Sequence, residues 1–169
     1  MLSEKLLNEI NEQIKHEFYS AHYYIAMAGF CADQDLPGFE NFFLMQAEEE
    51  RFHAMKFYHY VNEMGGRVDI RGLDYPNNEF NSMTKVFQAA LDHEKFVTDR
   101  IYLLMDIATE EKEYATISLL NWFVDEQVEE MDSMNAILKQ IKRMGEDGNG
   151  IYMLDKELAQ RTFSPQAVE

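Results

Sequence analysis

The chain has 169 residues, 46% of them hydrophobic and 27% charged, with eight glycines and three prolines, a composition that excludes a disordered chain and a fold of short strands joined by Gly/Pro turns. Fifteen Lys and Arg against 31 Asp and Glu leave a net charge of −16, a field that attracts cations and argues against nucleic-acid and anionic-membrane partners. The longest largely apolar run, Tyr23–Ala32, falls far short of the roughly 20 residues that span a bilayer.

In chain order, Ser3 predicts an N-cap for a first helix running to about Asp33. The turn Asp35-Leu36-Pro37-Gly38 follows, with Pro37 in the first turn of a second helix ending at Met64. Gly65-Gly66 opens a turn-rich stretch to Ser82, which caps a third helix. The third and fourth helices have no Gly or Pro between them, so their boundary near Glu110–Glu113 is read from a polar interruption alone, with the fourth running from about Lys112 to Met144. After the break Gly145–Gly150, Ile151–Arg161 reads as a short fifth helix. Short links make the first and second helices antiparallel, and likewise the third and fourth, while the Gly65–Asn81 stretch is long enough to run the length of a helix. The expected fold is therefore all-α: a four-helix bundle over about 3–144, one long crossover between helices two and three, and a short fifth helix, all within a single domain of 1–169.

The apolar period alternates steps of three and four in every long segment, as helices packed lengthwise require. The four stripes read Leu7, Ile10, Ile14, Glu17, Ala21, Tyr24, Ala28, Cys31; then Leu36, Phe39, Phe43, Gln46, Glu50, His53, Phe57, Tyr60, Met64; then Met83, Phe87, Ala90, Glu94, Val97, Ile101, Leu104, Ala108; then Leu120, Phe123, Gln127, Glu130, Met134, Ile137, Ile141, Met144. Each is apolar except near its middle. There they carry Glu17, then Glu50 with His53, then Glu94, then Gln127 with Glu130. Any one of these taken alone reads as a surface residue; their coincidence at one level of an antiparallel bundle predicts a buried layer of four carboxylates, an imidazole and an amide. Burying even one unpaired carboxylate costs several kcal/mol. No Lys or Arg stands on the stripes at that level, which leaves metal ions as the counter-charge.

The donors narrow the metal. Glu50 and His53, spaced i and i+3, share a helical face and can bind one ion, with Glu50 able to bridge to a second; mostly carboxylate donors with one imidazole suit Fe(II), Mn(II) or Zn(II). The single cysteine, Cys31, allows no intrachain disulfide and no Cys-based zinc or iron–sulfur site, and reads as a small core side chain. The start Met1-Leu2-Ser3-Glu4 carries no basic, apolar export signal, so the expected location is the cytoplasm.

The motifs His16-Glu17-Phe18-Tyr19-Ser20, Glu48-Glu49-Glu50-Arg51-Phe52-His53, the lone Glu94, Glu126-Gln127-Val128-Glu129-Glu130 and the ending Gly150-Ile151-Tyr152-Met153-Leu154-Asp155-Lys156-Glu157-Leu158 together resemble the ferritin family, specifically the non-haem bacterial ferritins, over essentially the whole chain. The resemblance implies iron storage with ferroxidase activity in a cage of twenty-four copies, with dioxygen or hydrogen peroxide as oxidant and a hydrated ferric oxide as the stored form. It implies a ferroxidase centre in which Glu17, Glu50 and His53 hold one iron and Glu50, Glu94 and Glu130 the other. Gln127 would hydrogen-bond the bridging oxygen species, and Tyr24 would lie beside the centre. It also implies a weaker third iron site at Glu49, Glu126 and Glu129, sharing Glu130. Bacterioferritins and rubrerythrins are similar but place a second Glu-x-x-His on the fourth helix, where this chain has Gln127-Val128-Glu129-Glu130. The missing imidazole favours a transit site over a permanent cofactor. The Met that holds haem in bacterioferritins is replaced by Phe52, so no haem is expected.

His16, His22, His59 and His93 lie off the stripes and read as ordinary surface or interface residues. Trp122 and Tyr24 are oxidisable groups near the expected centre, whereas the Met and Phe richness reads as packing. Two other functions fit parts of the pattern. A di-iron peroxidase or oxygenase would need a substrate pocket and a reductase partner that the sequence does not show, and a helical interaction module would use the polar layer only to set register.

Overall fold

The computed structural model describes residues 2–145 and 148–165. It contains α1 (Glu4–Asp33), α2 (Pro37–Glu63), α3 (Met83–Glu110), α4 (Tyr114–Met144) and α5 (Gly148–Leu158), with no strand among the described residues. The four long helices form the bundle, with the long crossover between α2 and α3 and the short helix at the end.

The helix ends follow local chemistry. Ser3 Oγ accepts from the Leu6 N–H at 3.0 Å and Ser82 Oγ from the Lys85 N–H at 3.2 Å, each satisfying an otherwise orphaned helix donor. Pro37 occupies the first turn of α2, where its missing N–H costs nothing. The α3–α4 reversal is made by Lys112, whose φ of 55° is left-handed. A non-glycine residue there explains why the sequence offers no breaker at this turn. α4 begins at Tyr114, two residues beyond the expected Lys112, because 111–113 form this turn.

The fifth helix differs from expectation at both ends. It begins at Gly148, not Ile151, and ends at Leu158, not Arg161. Gly150 lies within the helix and against Met144, whose Sδ would be 2.7 Å from an added Cβ, so close packing and not chain reversal favours glycine there. Beyond Leu158 the backbone leaves the helix, and Asn41 Nδ2 takes the carbonyls of Leu158 and Arg161 at 3.2 and 3.0 Å. α5 is docked on the start of α2 through the buried Asp155, whose Oδ1 accepts from the Gly38 and Phe39 N–H groups at 2.7 and 3.1 Å. Gly38 must be glycine here, since a Cβ would lie 1.7 Å from the Asp155 carbonyl oxygen.

The crossover is tied to α1. Asn11 donates to the Arg67 carbonyl at 3.2 Å and accepts from the Asp69 N–H at 2.8 Å, while Arg71 bonds Glu12 and Asn8. These contacts meet the backbone polar groups of a segment with no helix or strand of its own.

The apolar interior is split in two. One cluster joins Tyr24, Met27, Phe39, Phe43, Phe87 and Met134, and the other joins Leu6, Ile10, Phe57, Ile101, Leu120 and Phe123. Between them lies the polar level, flanked along α1 by Ile14 and Ala21 and along α4 by Phe123 and Met134. Cys31 is fully buried in the first cluster, and burial pushes its thiol up to about 12, consistent with a core side chain.

Candidate metal centre

All six residues of the polar layer are buried: Glu17, Glu50, His53, Glu94, Gln127 and Glu130 are each no more than 5% exposed. They arrive from all four long helices, because each occupies a core position of its own apolar stripe. Two sets of ligand atoms converge, Glu17/Glu50/His53 and Glu50/Glu94/Glu130, each within 4.8 Å. Glu50 belongs to both. A carboxylate has two oxygens, so one group can serve two ions held side by side.

Amides arrange the carboxylates. Gln13 Nε2 donates to Glu17 Oε1 at 2.8 Å, Gln46 Nε2 to Glu130 Oε2 at 2.7 Å, and Gln127 Nε2 to Glu94 Oε2 at 3.1 Å. The Tyr24 hydroxyl also donates to Glu94, from α1 to α3. Glu94 accepts at both of its oxygens, whereas Glu17 is held through one alone. Glu17 Oε2 and Glu50 Oε2 are buried without a hydrogen-bond partner, and so is His53 Nε2. Orphaned buried oxygens are what a small cation would satisfy, and these donors suit a divalent ion of intermediate hardness.

The electrostatics agree. Burial raises Glu17 to about 7, with the Glu94 charge adding to it. Burial first, then the facing carboxylates, carry Glu50 and Glu130 well above the usual range. Glu94 rises through burial, partly offset by the bonds from Tyr24 and Gln127. Burial depresses His53 to about 3, with Lys56 contributing, so its ring is neutral and has a lone pair to give. Burial and mutual repulsion therefore favour protonated carboxyls in the metal-free layer, and metal entry displaces those protons.

Outward from this layer, Glu49, His53 and Glu126 also bring ligand atoms within 4.8 Å of one another. His53 thus faces both ways: Nδ1 lies 3.5 Å from Glu50 Oε2 and Nε2 lies 3.9 Å from Glu126 Oε2. Glu129 is exposed and outside this set, but it lines a cavity of about 150 Å³ with Glu49, Glu126, Glu130, Ser133 and Arg161. Burial, then Glu49 and Glu129, raise Glu126 to about 6. A second opening of about 450 Å³ reaches His53 between Trp122, Lys56, Glu126 and Phe163.

A family model for the ferritin-like domain matches residues 7–144. The chain belongs to the ferritin family. It is similar to the bacterial non-heme ferritin of Staphylococcus aureus strain USA300, 45% identical over 166 residues covering 98% of this chain and 100% of that protein. It is similar also to that of Staphylococcus saprophyticus, 47% identical over 163 residues covering 96% and 98%. Among solved structures, an Archaeoglobus fulgidus ferritin engineered to a closed form superposes with a TM-score of 0.96 at 40% identity, covering 97% of this chain and all of that one. The open pore ferritin of the same archaeon gives 0.95 at 40% identity, covering 96% of this chain and all of that one.

In this ferritin, several residues have roles that the stripe pattern did not bring out. Gln46 stands on the α2 stripe beside Glu50, and its place there was the signal. Gln13 lies one turn before Glu17, as an i,i+4 partner must. Arg161 had no signal in helical periodicity, since it follows the last helix. The four off-stripe histidines divide: His22 and His59 are exposed, His16 is half-buried edge-on to Phe96, and His93 is half-buried at 2.8 Å from Ser20 Oγ, with its ring edge-on to Tyr24. His93 packs between α1 and α3 beside Tyr24, and burial lowers it to about 4. Trp122 packs edge-on against His53 with centroids 5.4 Å apart.

Proposed function

We propose that this ferritin is an iron-storage protein with ferroxidase activity. The observation that carries the reading is the pair of three-ligand groups sharing Glu50 inside the bundle. Two Fe(II) occupy it as substrate, one held by Glu17, Glu50 and His53, the other by Glu50, Glu94 and Glu130. Each gives one electron, and dioxygen or hydrogen peroxide accepts the pair. Carboxylates stabilise the higher charge of Fe(III), so oxidation is favoured where four of them converge. Gln127 and Tyr24 orient Glu94 by hydrogen bonds, which makes them positioning residues. The outer group Glu49, Glu126, Glu129 and Glu130 is the third, weaker site through which iron passes.

Fe(III) then collects as hydrated oxide in the cavity of a homo-oligomeric cage of twenty-four chains, in the cytoplasm. No helix is long and apolar enough to cross a membrane among the described residues. The centre is non-haem. Phe52, in the position before His53, offers no axial ligand and packs on Trp122 and Phe163.

The opening of about 450 Å³ bears on the oxygenase alternative, because it is the pocket such an enzyme would need. Its wall sets Phe52, Trp122 and Phe163 beside five charged groups, Glu49, Glu126, Glu129, Lys56 and Arg161, more charge than the few polar groups of a typical organic-substrate pocket. Anaerobic Fe(II) addition to the assembled particle, followed by an air pulse with absorbance and particle mass recorded, tests the proposal. Rapid oxidation of about two Fe(II) per chain, then growing iron density in a very large particle, is expected; a small particle that turns over without retaining iron would overturn it.

A further inference from the structure

Arg161 takes no part in the ligand sets, yet it is placed with care. Asp155 fixes α5 against α2, Asn41 takes the Arg161 carbonyl at 3.0 Å, and Phe163 rests on Phe52 with centroids 6.1 Å apart. The chain on both sides of Arg161 is thereby held to α2. The guanidinium lies over the Phe42 ring at 4.4 Å and reaches Glu49 Oε2 with Nη2 at 2.9 Å. Nη1 is buried without a hydrogen-bond partner. The group shares its acidic mouth, the cavity of about 150 Å³, with Glu49, Glu126, Glu129 and Glu130 and is the one cation lining it among the described residues; Lys56 stands on the adjoining larger opening, with its Nζ over the Trp122 ring.

With Oε2 given to the guanidinium, Glu49 has only Oε1 left for a divalent ion, and a cation at 2.9 Å from one ligand repels a second cation arriving at it and at the others. We infer that Arg161 is a tethered counter-cation of the outer mouth, which holds Glu49 in the metal-free chain and must be displaced whenever a divalent ion occupies the third site. The inference rests on the reading of Glu49, Glu126, Glu129 and Glu130 as that site. Its consequence is directional. When an ion leaves the mouth, Arg161 returns to Glu49, lowers the local negative charge and shortens the stay of the next ion, so the third site remains a passage. The inner pair is less affected, because Arg161 hydrogen-bonds none of its ligands and, of these, only Glu130 lines the cavity with it.

Isothermal titration of the assembled particle with Zn(II), which has no redox chemistry, separates the two groups of sites in the parent, Arg161→Gln and Arg161→Lys. Arg161→Gln should keep about two strong sites per chain and bind a further ion roughly ten-fold or more tightly than the parent. Arg161→Lys, which keeps the charge, should stay near the parent. In the parent, amide exchange of residues 159–165 should quicken as the third ion binds and not while the first two do. Equal third-ion affinity in parent and Arg161→Gln, or unchanged exchange on third-ion binding, would overturn the inference. Absence of the two strong sites from the parent would instead overturn the ferroxidase reading, and the weaker ion would still report on Arg161.

Discussion

Gln46 donates its amide hydrogen to Glu130 Oε2 at 2.7 Å, linking the helix that carries Glu50 and His53 to the helix that carries Glu130. The bond favours the ionised form of Glu130 against burial and the Glu94 and Glu49 charges, all of which oppose ionisation. It also fixes which oxygen remains for a metal. Gln46→Leu removes the donor while keeping similar bulk, so the acid becomes harder to ionise and its orientation less defined. Loss of such an orienting bond typically costs about 10- to 100-fold in metal affinity. Zn(II) titration should show that loss in one of the two strong sites while the other keeps most of its affinity. Unaltered binding would mean that Gln46 only fills space.

Replacing a bridging or terminal ligand is a sharper test. Glu50→Ala or His53→Ala should leave an assembled particle, because both side chains face the bundle interior and are 1% exposed, away from outer surfaces. Either should abolish the fast phase of Fe(II) oxidation, leaving a slow rate at least about ten-fold lower, the minimum for loss of a positioned metal ligand. Stopped-flow absorbance after sizing of the particle separates the two effects. A variant that oxidised Fe(II) at the parental rate would show that the shared carboxylate and its imidazole are not the centre.

The helices and the buried layer were legible because they obey one rule. A helix packed lengthwise repeats every 3.6 residues, so the positions of Glu17, Glu50, Glu94 and Glu130 in their stripes fixed both their burial and their mutual approach. What the sequence hid does not repeat. The α3–α4 turn uses a left-handed Lys112, which no breaker residue marks, and the ends of α5 are set by Asp155 and Asn41 reaching across more than a hundred residues of sequence. Arg161 is hidden for the same reason: its neighbour is Glu49, a relationship created by docking of α5 and not by any local pattern. The partners of His93, Ser20 and Tyr24, likewise stand on another helix and leave no local mark.

The raised Glu17 also has a pH signature in the metal-free protein. Its folded value of about 7 lies above the ordinary 4.5, so between these values the folded chain holds a proton that the unfolded chain has lost. Stability associated with Glu17 is complete below pH 4.5 and falls as pH rises to 7, by on the order of 3 kcal/mol. His53, lowered to about 3 from 6.5, acts in the opposite sense: its contribution is complete above pH 6.5 and falls as the pH drops. Comparing Glu17→Gln with the parent cancels the histidine contribution, since both proteins keep His53. Denaturant unfolding with chelator present should therefore show Glu17→Gln gaining stability relative to the parent at pH 8, and gaining less or losing at pH 5. An equal difference at the two pH values would mean that Glu17 is ionised throughout.

Metal binding should convert the same stored protons into a measurable release. With Glu50, Glu94 and Glu130 all raised by burial, the empty layer holds protons near neutral pH, and a divalent ion requires the ionised oxygens. Anaerobic Fe(II), or Zn(II), added in weakly buffered solution should acidify it in step with filling of about two strong sites per chain, and should raise the melting temperature because the unfolded chain binds metal far more weakly. Glu94→Gln should lower both the proton release and the metal-dependent rise. Its metal-free form should be as stable as the parent or more so, because one member of a crowded carboxylate set is gone, while the amide oxygen still accepts from Tyr24, and Gln127 Nε2 keeps the backbone carbonyl of residue 94 and Thr98 Oγ1 as acceptors. A metal-free Glu94→Gln protein weaker by several kcal/mol would show that Glu94 is ionised and paired with a cation in the empty state. The protons displaced by metal would then have to come from elsewhere, and the neutral-acid layer would be wrong at its central residue.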